Sequence, residues 1–362
     1  MKKSLKKQSL TIIKFILCCI LIIGTYGVKA NAEEAAIDAT SETPYSYNVE
    51  SGKTGSIIPI SFSKAGVYTY KIEVTGFADT VHVDFLKKAE ATSADDIASF
   101  TSFNGTEKEF TKVIKEPINY YLFVYSENPP AGAKTIKVTC TYNVPETEGK
   151  SVKADEEVKA VSMDGLYYSI KLKKDSKITV SGDKVSLCDS KKEFLTSVPS
   201  DGDSVSTYLK KGTYYIKTSA GIEKFKYTIN NTSTDKNVTQ KKAKKIKVGK
   251  NVKMKLYASN GTKGALYYKV TLKKAKKISV TADSSKLLSD MNVEIYKKKA
   301  GKVPYLSGYK EYGKKGKISF NGQTNKSIDS LLMEKKTVKL PAGTYYIMVS
   351  STSGGDATIK IK

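Results

Sequence analysis

Residues 166–182 (LYYSIKLKKDSKITVSG) return as residues 266–282 (LYYKVTLKKAKKISVTA). Each copy is followed by a second shared stretch, LKKGTYYIKTSAG at 209–221 and LPAGTYYIMVSST at 340–352. A looser version, VYTYKIEVTG at 67–76 with INYYLFVYSE at 118–127, comes before them. Such self-similarity means one structural unit repeated, the second and third copies closely related and the first diverged. Within the copies apolar residues alternate. Tyr268, Val270 and Leu272 fall on one face and Lys269, Thr271 and Lys273 on the other. Ile278 and Val280 oppose Lys277 and Ser279, and Tyr345, Ile347 and Val349 share a face. A period of two in segments rich in Tyr, Val, Ile and Thr specifies half-buried antiparallel strands. Turn signals at Lys211-Gly212, Asn321-Gly322, Pro341-Ala342-Gly343 and Ser353-Gly354-Gly355 keep those strands short. The expected fold class is all-β, with three tandem antiparallel β-sandwiches of jelly-roll type. Helix is expected only in brief stretches such as Ala91–Phe100.

The N-terminus reads as an export signal. Lys2, Lys3, Lys6, Lys7 and Lys14 precede an apolar run from Phe15 to Ile23, and Ala30-Asn31-Ala32 offers small residues for cleavage. The run is too short for a stable membrane span, so no transmembrane segment is expected in the mature chain. The expected organisation is a signal over 1–32, a polar linker over 33–46, and sandwiches over 47–145, 146–235 and 236–362. The connectors Asn143–Lys150 (NVPETEGK) and Asn230–Gln240 (NNTSTDKNVTQ) mark the cuts. Secretion places the mature protein outside the cell, with non-covalent surface association as the expected mode of retention.

The order of YY-x-[IV]-x-L, a polar strand, then L-x-x-GTYYI closing the unit resembles the bacterial pre-peptidase C-terminal domain family. The resemblance is strongest over 236–362, weaker over 150–230 and slight over 45–145. It implies small jelly-roll-like sandwiches of secreted proteins, modules that often accompany peptidases. In collagenases, related modules bind collagen and calcium. Here Gly264-Ala265 stands where an acidic pair often precedes the tyrosine, a departure from the pattern on which both of those ligands rest.

A catalytic constellation is hard to assemble. The one histidine, His82, lies in a strand-like segment whose Val81, Val83 and Phe85 take the buried face, leaving His82 and Asp84 as an expected surface pair. One histidine excludes His-based zinc sites. Cys18 and Cys19 belong to the signal; Cys140 and Cys188 either bridge or remain free thiols. A Cys140–His82 thiol–imidazole pair is the alternative to a cysteine packed in the core. Lys53-Thr54-Gly55 and Ser61-Phe62-Ser63-Lys64 stand in the wrong order for a penicillin-recognising enzyme. Asp201-Gly202-Asp203-Ser204 lacks the carboxylate that a calcium loop needs at position 212, which is Gly212. No catalytic residue, metal or cofactor is expected, and a hydrolase with an unrecognised site is the outlying alternative.

Charge supplies the functional lead. Residues 33–145 hold 10 lysines against 15 acids (−5), 146–235 hold 15 against 14 (+1), and 236–362 hold 30 against 7 (+23). The excess clusters at Lys241, Lys242, Lys244, Lys245, Lys247 and Lys250, at Lys273, Lys274, Lys276 and Lys277, at Lys297, Lys298 and Lys299, and at Lys314, Lys315 and Lys317. A field of this sign attracts polyanions in a salt-dependent way. The expected partners are an anionic wall polymer, an acidic polysaccharide or a glycosaminoglycan, with other secreted proteins as further candidates. Nucleic acid is disfavoured, because every basic residue is lysine and no exposed aromatic stripe is evident. In the Tyr-Tyr pairs, Tyr168, Tyr214, Tyr268 and Tyr345 are expected inside, and Tyr167, Tyr215, Tyr267 and Tyr346 outside as candidate glycan-stacking rings. The expected function is that of a secreted, non-catalytic binding protein attached through its basic C-terminal sandwich. A structural spacer or accessory module assembling with other extracellular proteins is the alternative.

Overall fold

Alternating strands must hide one face each, and they do so here by pairing sheets. The computed structural model describes residues 36–49, 52–77, 79–89, 94–128, 134–198, 204–230, 235–297, 305–322 and 336–362. The expected signal, Lys298, Lys299 and Asp201-Gly202-Asp203 lie outside the described residues. Among the described residues the regular elements are strands, apart from single 3-10 turns at Ala94–Asp96 and Gln240–Lys242. Of the helix expected over Ala91–Phe100, the described residues 94–100 are a 3-10 turn and the start of a strand, which corrects that expectation there. Ile97–Phe103 is a strand paired with Val81–Leu86, because its residues alternate and carry no apolar stripe at helical spacing. Among the described residues no helix is long and apolar enough to cross a membrane.

Two compact units result. One runs to Glu146 and takes in Val161–Asp164 and Ala220–Ile222; the other holds Thr147–Ala160, Gly165–Ser219 and Glu223–Lys362.

The first sandwich faces a five-stranded sheet against a four-stranded one. The strand orders are Ile37–Asp38, Gly55–Phe62, Ile118–Ser126, Val81–Leu86, Ile97–Phe103 and Tyr45–Val49, Lys134–Asn143, Gly66–Thr75, Glu107–Ile114. The stretch read as a linker over 33–46 contributes to it: Ile37 and Ala39 are fully buried, and Ile37–Asp38 pairs in parallel with Ile60–Ser61.

The second sandwich sets Glu157–Ser162, Gly221–Asn230, Ser176–Gly182, Ser204–Leu209 against Tyr167–Leu172, Gly212–Lys217, Ser186–Cys188, Phe194–Ser197. The third sets a six-stranded sheet against a four-stranded one. The six are Lys244–Lys245, Leu266–Leu272, Gly343–Ser351, Met291–Lys297, Leu306–Lys310 and Ser319–Gly322. The four are Asn251–Leu256, Gly355–Ile361, Val280–Asp283 and Lys315–Lys317, and a ribbon of Lys276–Ile278 with Val338–Leu340 stands beside them.

The repeated motifs occupy one register in both copies. Ile170 faces Tyr214 and Leu172 faces Gly212; Val270 faces Tyr345 and Leu272 faces Gly343. Two residues after that glycine, the tyrosine hydroxyl donates to the carbonyl four residues back. Tyr214 reaches Lys210 O at 3.1 Å and Tyr345 reaches Pro341 O at 3.0 Å. The first sandwich repeats the device with Tyr68, two residues after Gly66, donating to Lys64 O at 2.8 Å. That bond is a local likeness only. By strand order the counterpart of the closing strands Gly212–Lys217 and Gly343–Ser351 in the first copy is Ile118–Ser126, which lies between Gly55–Phe62 and Val81–Leu86 as they lie between their own neighbours. Tyr168, Tyr268 and Tyr345 are fully buried as expected, while Tyr214 is only half-buried against its core.

Candidate functional site

The one histidine is not where alternation alone would put it. Val81, Val83 and Phe85 join the core, yet His82 and Asp84 are 4% and 1% exposed rather than a solvent-facing pair. Their strand lies between two others and is buried on both faces. His82 stacks on Tyr125 with 5.1 Å between ring centres, Tyr125 stacks on Phe123, and the Tyr125 hydroxyl donates to Asp84 Oδ2 at 3.4 Å. Burial lowers the His82 pKa, opposed by Glu127 at 4.0 Å. Cys140 lies in the core between the sheets, so it and His82 occupy opposite sides of the five-stranded sheet and make no thiol–imidazole pair. Cys140 and Cys188 are free and buried. Burial pushes the Cys140 thiol up to about 12 and raises Cys188 as well, which suppresses the reactive thiolate. Among the described residues no group of three or more His, Cys, Asp or Glu side chains is placed to hold a metal.

The lysines of the third sandwich stand outward, for identifiable reasons. In the lead-in, Ala243 and Ile246 are buried and fasten the chain to the sheet, with Ile246 N donating to Lys269 O at 2.9 Å. Lys241, Lys242, Lys244, Lys245 and Lys247 between and around those anchors are exposed. Lys273, Lys274, Lys276 and Lys277 are exposed too, and Lys277 sits directly opposite Lys339 in the ribbon. Lys297 is exposed at the end of its strand.

The four-stranded sheet adds a ladder that the sequence clusters only partly reveal. Its inner face carries Met254, Leu256, Val280, Ala282, Ile359 and Ile361. Its outer face therefore presents Lys253 and Lys255 on one strand, Lys360 on the next, and Lys315 and Lys317 on the edge. Five lysines there face two aspartates, Asp283 and Asp356. Lys315 pairs with Asp283 at 3.1 Å, and Lys314 pairs with Glu311 in the adjoining turn. Burial works against ionisation of Asp283, but hydrogen bonds from Ser285 and Lys315 hold its pKa below the ordinary value. A cleft of about 310 Å³ opens on this face, lined by Lys253, Lys286 and Lys315 with Asp283, Asp356 and Thr358. By contrast, two lysines of the first sandwich serve packing. Lys134 is 3% exposed with its ammonium 4.9 Å from the Phe77 ring, and Lys112 lies 4.2 Å from Phe85 and donates to Ser99 Oγ. Burial brings the Lys112 pKa down to about 8.

The outward tyrosines fall into two different settings. Tyr167 and Tyr215 meet edge to face, 6.2 Å apart. The Lys192 ammonium lies over both rings, at 4.8 and 5.5 Å, and Lys217 lies over Tyr167 at 5.5 Å. Tyr267 and Tyr346 instead pack with Tyr296, Met348 and Ala265 in a small apolar cluster on the outer side of the six-stranded sheet. Asn237, from the polar connector, brackets Tyr267: its amide donates to Tyr267 O at 2.8 Å, and its carbonyl accepts from Tyr267 N at 2.7 Å. Tyr296 donates its hydroxyl to Glu294.

The second and third sandwiches share a packed junction. Tyr208, on a strand of the second, belongs to the core of the third, and Ala258 of the third belongs to the core of the second. Ala258 N donates to Tyr208 O at 2.8 Å, Thr207 Oγ1 to Ser353 O at 2.5 Å, Tyr208 Oη to Asp356 at 3.0 Å and Tyr257 Oη to Asp175 at 3.0 Å.

No family model and no curated protein matches the chain. Among solved structures, the pre-peptidase C-terminal domain of collagenase from Bacillus anthracis is 18% identical over 31% of this chain and 99% of its own, with a TM-score of 0.24. A triple jelly-roll protein of the turret of an archaeal virus is 12% identical, covering 91% of this chain and 95% of its own at a TM-score of 0.21. The N-terminal CBM22 tandem domain of Xyn10C from Paenibacillus barcinonensis is 9% identical, covering 92% and 98% at a TM-score of 0.19.

Proposed function

We propose that this chain is an extracellular, non-catalytic binding protein whose third sandwich holds an anionic polymer. Its second and third sandwiches we read as modules of the pre-peptidase C-terminal kind, on the strength of their shared motifs and register. Export rests on the sequence of residues 1–32. The observation that carries the binding reading is the five-lysine ladder Lys253, Lys255, Lys315, Lys317 and Lys360 on one sheet face, with the exposed lysines of the lead-in and ribbon elsewhere on the same sandwich. Lys277 opposite Lys339 supports it, since like charges placed directly across a ladder repel unless an anion lies between them. Lysine ammoniums on a solvated face attract a flexible polyanion as point charges, without the planar fork that fixed phosphate recognition uses. A wall polymer carrying phosphate, an acidic polysaccharide or a glycosaminoglycan meets that requirement equally.

The test is retention of the full-length mature protein on immobilised heparin and on purified wall polymer across a salt gradient. Release well below 1 M NaCl is expected, where screening shortens to roughly 3 Å. Replacing Lys253, Lys255, Lys315, Lys317 and Lys360 together by Gln is expected to move elution to markedly lower salt. Retention indifferent to salt, or unchanged in that variant, contradicts the reading. The junction around Tyr208 favours a second reading, a rigid two-sandwich spacer, which expects no polyanion retention at all.

A further inference from the structure

The outer face of the six-stranded sheet carries a chemistry different from the lysine ladder. Pairing registers place Lys269, Tyr346 and Tyr296 side by side across three strands. Tyr305 extends that row onto a fourth strand: it directly precedes Leu306, which pairs with Ile295, and its N–H donates to Ile295 O at 2.8 Å. The next row reads Tyr267, Met348, Glu294 and Ser307, and the one beyond it Ser350, Asn292, Tyr309 and Ser319. Five tyrosines thus share one face, at strand spacings of about 4.8 Å. Tyr296 and Met348 form its floor, at 8% and 3% exposure, while Tyr305 and Tyr309 stand out at 39% and 52%. Lys245 ends the first row on the edge strand, opposite Lys269. Inward of that edge one acid, Glu294, and one lysine, Lys269, lie within these rows, so the part of the face that holds the rings is close to neutral, and Asn292, Ser307 and Ser350 put hydrogen-bonding groups between the rings.

We propose that this tyrosine face is a second binding site, for an uncharged polysaccharide chain. Its rings offer flat surfaces to the CH faces of sugar rings, and the interleaved amide, hydroxyl and carboxylate groups suit the hydroxyls at their edges. Near-neutrality selects the occupant. A polyanion gains little from a patch of rings with one lysine and one carboxylate among them, and a nucleic acid strand needs a positive groove along its backbone. The site stands on other residues than the lysine ladder and does not depend on it.

The experiment is affinity electrophoresis of the full-length protein in gels containing hydroxyethylcellulose, galactomannan or glycol chitin, repeated as a pull-down in 0.5 M NaCl. Binding of at least one of these polymers is expected to persist at that salt. Tyr305→Ala with Tyr309→Ala is expected to weaken it about tenfold or more, at roughly 3- to 10-fold per ring. Both rings are exposed, so the variant keeps its melting temperature, and the five-lysine Gln variant keeps its neutral-polymer binding. The proposal is overturned if none of the three polymers is bound, or if the tyrosine variant binds as before. It is also overturned if sedimentation shows that these rings hold two copies together, or if the face captures gelatin in place of glycans.

Discussion

The second and third sandwiches use one register for their twin motifs and present opposite chemistry on the equivalent outer faces. Tyr167 and Tyr215 lie under Lys192 and Lys217, whereas Tyr267 and Tyr346 are part of a broad tyrosine face with no lysine ammonium over them among the described residues. The motif is conserved between copies where it is buried, because Tyr168 and Tyr268, Ile170 and Val270, and Leu172 and Leu272 fill the same inner positions. The outer positions are freer: Tyr167 and Tyr215 recur as Tyr267 and Tyr346, but Ser169, Lys171 and Lys217 give way to Lys269, Thr271 and Met348. The excess of lysine follows the third copy, and among the described residues its clusters stand at exposed positions.

The largest expected effect comes from cutting the link between the two copies. Tyr208→Ala removes a buried ring that one sandwich lends to the other, and is expected to cost about 3–5 kcal/mol. Calorimetry should then show the second and third sandwiches melting apart; a single unshifted transition would mean that the junction is passive. Tyr208→Phe keeps the ring and loses the bond to Asp356, for about 1 kcal/mol. Burial and then Asp356 push the Tyr208 hydroxyl up to about 12. A folded pKa above the unfolded value of 10 gives stability that is complete below pH 10 and lost as pH rises towards 12. Stability of the parent should therefore fall more steeply over that range than stability of Tyr208→Phe, by chemical denaturation at each pH.

A smaller effect separates the outer faces. Lys192→Ala uncovers Tyr167 and Tyr215 and is expected to cost about 0.5–1 kcal/mol, while making those two rings more reactive to nitration. Rings that stay unreactive would mean that Lys192 does not shield them. Smallest is the acid response of the first sandwich, the one with a histidine. Burial holds the folded-state pKa of His82 below its ordinary value, so its contribution is full above the unfolded value of about 6.5 and fades as pH falls below it. His82→Gln should flatten that acid limb between pH 7 and 6; an unchanged limb would show that His82 does not titrate on unfolding.

Inner faces were legible from alternation alone, and so were the turns and the kinship of the copies. His82 was not, because alternation presumes one wet face per strand, and Val81–Leu86 is buried on both by its neighbours Tyr125 and Phe123. The tyrosine face was written in the chain as Tyr305, Ser307 and Tyr309, again with period two. It became a site only when strand order set 306–310 beside 291–297 and 343–351, a long-range fact that local pattern does not hold. Lys253, Lys255 and Lys360 were likewise hidden in alternating segments, outside the dense runs that charge clustering picks out. Lys339 stood alone until the ribbon placed it opposite Lys277.

Lysine footprinting tests the polyanion reading most directly. The full-length protein would be acetylated with and without heparin and its lysines compared by mass spectrometry. Protection concentrated on Lys253, Lys255, Lys315, Lys317 and Lys360, with Lys277 and Lys339, and absent from exposed first-sandwich lysines such as Lys115, is the expected result. Equal protection across all three sandwiches, or none on the ladder, would contradict it.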